Sequence, residues 1–155
     1  MSSNIYICST LSPFEKNIKA IGYTTYYWEP GSTLRIHFLN GDEQWKRKVA
    51  EIADEWTQYA NLDFQFYYDP NHPPVDQMGN NIADIAIDFW ENNYGGGWSY
   101  YGTDSRREAR KGNASMMLPT WDAQGTILHE FGHALGLIHE HLNPVAGIQW
   151  NKKQV

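Results

Sequence analysis

Residues 129–139 read His129-Glu130-Phe131-Gly132-His133-Ala134-Leu135-Gly136-Leu137-Ile138-His139. Apolar side chains at Ile127, Leu128, Phe131, Ala134, Leu135 and Ile138 recur at helical spacing, so the stretch is a helix packed on a core. Asp122 is its expected N-cap. Two histidines four apart lie one turn above the other on a single face, close enough to share one ion. Glu130 points roughly 100° away around the axis, beside such an ion rather than on it. From there it can take a proton from water. A third histidine cannot stay on the helix and reach the same ion. Gly136 resolves this, because glycine enters the left-handed conformation that ends helices. Past that turn His139 can swing back. Three histidines leave a fourth position open, which is the arrangement of a catalytic rather than a structural zinc.

Working outward from the helix, Ala114–Leu118 is a short strand ended by Pro119, and Arg106–Gly112 reads as a basic, polar loop. Trp98-Ser99-Tyr100-Tyr101 is a short aromatic segment after Gly95-Gly96-Gly97, expected at a sheet edge. Ala83–Phe89, Leu62–Tyr68 and Leu34–Leu39 alternate and read as strands. Between the last two, Asp42 is an expected N-cap, followed by an apolar stripe at Trp45, Val49, Ile52, Ala53, Trp56, Tyr59 and Ala60. That stripe predicts a helix of about five turns. The order of elements predicts an α/β fold: a mixed, mostly parallel five-stranded sheet with an antiparallel edge strand and two long helices.

Composition bounds the partners. The 155 residues suit one domain, expected to span 1–155. With 12 Lys and Arg against 18 Asp and Glu, the formal charge is −6. That acidity argues against a nucleic-acid partner. No apolar run approaches the roughly 20 residues that span a bilayer, so membrane insertion is not expected. No secretory signal is visible at the start. Cys8 is the single cysteine. It excludes a disulfide within the chain and a cysteine zinc site, and it reads as an ordinary thiol. His37 and His72 have no partner at ligand spacing, and His141 reads as exposed. The aromatics would also suit a carbohydrate-binding surface, but that reading leaves the histidines unexplained.

The pattern His129-Glu-x-x-His133-x-x-Gly136-x-x-His139 resembles the extended zinc motif of the metzincin metallopeptidases. Glu140 directly behind His139 resembles the astacin branch, as does Gly97-Trp-Ser-Tyr-Tyr-Gly102 ahead of the helix. The resemblance covers residues 28–141. It implies a zinc-dependent endopeptidase with His129, His133 and His139 as metal ligands, a metal-activated water and Glu130 as general base. It also implies a peptide or protein substrate lying extended along Trp98, Ser99, Tyr100 and Tyr101, with Glu140 in a supporting role. With one cysteine, the bacterial or fungal type is the closer comparison. The family is mostly secreted. Its methionine turn follows the third histidine at some distance. That turn has no counterpart before Val155, so a missing C-terminal subdomain is expected. The alternative is a weak or inactive peptide-binding module that keeps the zinc site.

Overall fold

A computed structural model describes residues 9–11, 26–90, 96–120 and 124–139. Its strands are β1 (Ser9–Leu11), β2 (Ser32–Phe38), β3 (Leu62–Tyr67), β4 (Ile85–Phe89), β5 (Trp98–Tyr100) and β6 (Met116–Leu118). Its helices are α1 (Glu43–Ala53), α2 (Asp104–Ala109) and α3 (Gln124–Ala134). The expected Asp122 cap, Cys8, Glu140 and His141 lie outside the described residues.

The sheet runs in the order β1-β5-β6-β4-β2-β3. Four of its pairings are parallel, and β5 alone runs antiparallel to its neighbour β6. The five strands expected from the sequence are therefore all present, and the mixed α/β architecture holds. Trp98–Tyr100 is not the outer strand, however. Ser9–Leu11 pairs along it in parallel, Ser9 opposite Trp98 and Leu11 opposite Tyr100. Three residues carry no readable period, so this sixth strand has no sequence signal.

One sheet face carries the main core. Leu34, Ile36 and Phe38 of β2 point into it with Ile85, Ile87 and Phe89 of β4 and Met116 and Leu118 of β6. Phe38 stacks on Phe66, Tyr68 and Phe89 at ring separations of 6.0, 5.5 and 5.9 Å. Val49 and Ala53 of α1 and Ile127, Phe131 and Ala134 of α3 close the core from above. Burying each large apolar side chain contributes about 1.5–3 kcal/mol. Alternate β2 residues face the other way, where His37 Nε2 meets the Asp69 carbonyl at 3.0 Å and Arg35 meets Asp84.

Asp42 caps α1 as expected, accepting from the Trp45 amide at 2.8 Å. The helix is shorter than its stripe predicts. At Asp54 it tightens into a 3-10 segment over Asp54–Gln58. Three residues per turn instead of 3.6 rotates the stripe off the core, and Tyr59 ends 76% exposed. The segment expected as a loop, Arg106–Gly112, overlaps α2. Its buried residues, Ser105 and Ala109, are small, and Ala109 packs with Ala83 and Ala86 on the second sheet face. Small residues let a helix approach closely but give a weak amphipathic signal.

The tryptophans act as internal ties. Trp45 Nε1 donates to the Pro119 carbonyl at 3.1 Å, and Trp56 Nε1 to the Leu128 carbonyl at 3.0 Å. Trp56 thus holds α3 beside α1, which places the histidine-bearing helix across the β5 end of the sheet.

Candidate metal centre

The three histidines converge. Their Nε2 atoms stand 3.0 Å apart for His129–His133, 3.3 Å for His129–His139 and 3.2 Å for His133–His139. Four donors placed tetrahedrally at roughly 2.0–2.1 Å from zinc lie about 3.3–3.4 Å from one another. The triangle is therefore nearly the face of a zinc coordination tetrahedron. These three side chains form the one group able to hold a metal ion among the described residues.

The turn behind His139 follows from the end of α3. Gly136 has φ +106, a value that residues with a Cβ enter only with strain. The Gly136 amide donates to the His133 carbonyl at 2.8 Å, and the Leu137 amide to the Gly132 carbonyl at 2.9 Å. These two bonds make a Schellman cap. The chain then doubles back so that His139 faces the helix it left.

The second nitrogen of His133 fixes its role. Nδ1–H donates to the Leu137 carbonyl at 2.7 Å, which leaves the Nε2 lone pair aimed at the other two rings. Burial pushes the His133 pKa down to about 4, against the opposing pull of the Leu137 carbonyl, and His129 and His139 lower it further. Burial also lowers His129. At neutral pH the His133 ring is uncharged, the form that binds a metal. The Tyr101 ring meets its edge at 5.3 Å.

Glu130 is fully buried. Its side chain lies where a Cβ on Gly97 would stand, beside the start of β5. The segment expected to bind substrate divides by strand alternation. Ser99 and Tyr101 are buried, Tyr101 beneath His133, while Trp98 and Tyr100 are partly exposed and pack edge to face at 5.9 Å. The outer side of this strand is occupied by β1. Neither that pairing nor the Tyr101–His133 contact was read from the sequence: Ser9–Leu11 carries no pattern, and for Tyr101 only its aromatic character could have pointed to the contact. His72 meets the Asp69 carboxylate at 2.6 Å and, like His37, stands apart from the triad.

No protein-family model matches the chain, and no curated protein matches it. Solved structures do. This chain is similar in fold to myroilysin. One myroilysin structure matches with a TM-score of 0.68 and 28% identity over 86% of this chain and 61% of that one. A second matches with a TM-score of 0.63 and 27% identity over 97% and 59% respectively. The chain thus spans about three fifths of the length of the myroilysin chains. No helix among the described residues is long and apolar enough to cross a membrane.

Proposed function

We propose that the chain is a zinc-dependent endopeptidase of the metzincin type, similar to the astacin branch. The observation that carries this reading is the triangle of histidine nitrogens at 3.0–3.3 Å. The fold shared with the myroilysin structures supports it. His129, His133 and His139 would hold a zinc ion, which would supply Lewis acidity toward water and a scissile carbonyl.

The chain's own groups do the rest. The buried Glu130 carboxylate takes the proton from the attacking water and passes it to the nitrogen of the leaving amine. Tyr101 and the Leu137 carbonyl keep the His133 ring in place. An extended peptide pairs with the backbone of β5, with Trp98 and Tyr100 offering partly exposed side chains and Ser99 and Tyr101 contributing main chain. That β5 already accepts Ser9–Leu11 along its outer side supports such pairing. It also means that a peptide must displace β1 to lie there.

The test is Glu130→Gln, which keeps shape and removes the base. Zinc content and fold should be unchanged, while hydrolysis of a quenched peptide library falls about 10²–10⁴-fold. Equal turnover would remove Glu130 from the mechanism. Zinc binding without hydrolysis by the wild type would leave the peptide-binding module as the function.

A further inference from the structure

The last four carbonyls of a helix have no partner inside it and must find one elsewhere. At the end of α3 each has a donor. Phe131 O accepts from the Leu135 amide, Gly132 O from Leu137, and His133 O from both Gly136 and Gly102. Ala134 O accepts from the Trp28 indole at 2.8 Å. That donor comes from 106 positions earlier in the chain, just ahead of β2.

We propose that Trp28 is a positioning residue of the metal centre, fixing the helix end from which Gly136 and His139 depart. The inference rests on the zinc reading of the histidine triad. Trp28 is only 6% exposed. The Arg106 guanidinium lies over its ring at 4.8 Å, and Arg106 Nε donates to the Asp84 carboxylate at 2.8 Å. Asp84 is itself fully buried and also accepts from the Arg35 amide on β2. The indole is thus anchored to the sheet on one side and to the helix end on the other.

Its two neighbours meet the same place. The Tyr27 ring occupies the space that a Cβ on Gly136 would need, at 2.7 Å. The Tyr26 carbonyl accepts from Thr103, next to the Gly102 that binds His133 O. Residues 26–28 form a strap over the metal turn. Movement of that turn shifts two ligands together: His139 along the chain, and His133 through the Leu137 carbonyl on its Nδ1.

Trp28→Phe keeps a ring and removes the donor. Chelator competition should show zinc bound about 10-fold more weakly, the lower end of the effect of losing a group that orients a ligand. The gap in melting temperature between zinc-loaded and metal-free protein should narrow accordingly. A purely structural role would lower both melting temperatures and leave zinc affinity unchanged; that result overturns the proposal. If Trp28→Phe does not fold, Arg106→Leu leaves the indole donor in place but frees its outer face. It should weaken zinc several-fold, and unchanged affinity again overturns the proposal. His133→Ala separates this inference from the reading beneath it. Full zinc retention in His133→Ala defeats the metal site itself. Zinc lost in His133→Ala but unaffected in the Trp28 variant defeats only the role of Trp28.

Discussion

Gly136 has no side chain to offer the candidate metal site, yet the turn that carries His139 back depends on it. Its φ of +106 and the Tyr27 ring beside it both exclude a Cβ. Gly136→Val should cost about 1–2 kcal/mol in backbone strain alone and weaken zinc binding by displacing His139. Equal zinc affinity by chelator competition would show that the turn tolerates a Cβ. His133 sets a pH dependence. Its folded pKa, about 4, lies below the ordinary 6.5. Between those values the unfolded chain binds a proton that the folded chain does not, so the metal-free protein loses stability as pH falls through that window. Above 6.5 and below about 4 this group adds no slope. Melting of metal-free protein across pH 4–7 should show the loss, and His133→Gln should reduce it. A slope identical in both proteins would mean that His133 is accessible to protons. At this scale the sequence was most legible, because spacing alone brought His129, His133 and His139 together and assigned Gly136 its turn. The hydrogen bond from His133 to Leu137 was also local, but it depends on how the turn closes.

At the scale of elements, legibility followed the strength of each pattern. β2, β3 and β4 alternate over five to seven residues, and the core face was readable from them. α1 began where Asp42 said it would. Its end was misread, since an apolar stripe does not reveal a switch from 3.6 to three residues per turn. α2 was missed because Ser105 and Ala109 are too small to mark a buried face. β1 was missed because three residues define no period, and its position bears on the proposed function. It occupies the side of β5 along which a peptide would pair. Prolines at both Thr10 and Leu11 remove an amide donor whichever of the two residues faces β5. That double variant should cleave peptides faster than the wild type by several-fold, chiefly through a lower KM. Unchanged kinetics would mean that substrate and β1 do not compete.

At the scale of the molecule, the sheet is covered unevenly. Large apolar residues under α1 and α3 make the main core, whereas α2 covers the second face over alanines. There the buried Asp84 gathers Arg35 at 3.4 Å, Arg106 at 2.8 Å and Arg110 at 4.0 Å. The arginines are 37–47% exposed and the carboxylate 1%, so removing the carboxylate is the damaging change. Asp84→Asn should destabilise by about 3 kcal/mol, as the loss of one partner from a buried pair does. A loss under about 1 kcal/mol in denaturant titration would class it with surface pairs. No sequence pattern pairs Asp84 with arginines 49 residues before and 22 and 26 residues after it; only the packed sheet does. The same sheet brings Trp28, Gly97 and Tyr101 to the histidine helix, and the proposed function requires its three histidines to share one zinc ion. Zinc content per chain, measured on purified wild type and on His129→Ala, His133→Ala and His139→Ala after dialysis against a weak chelator, tests it most directly. The expected result is one zinc in the wild type and a large loss in every variant. Full zinc in any of the three variants, or none in the wild type, would contradict it.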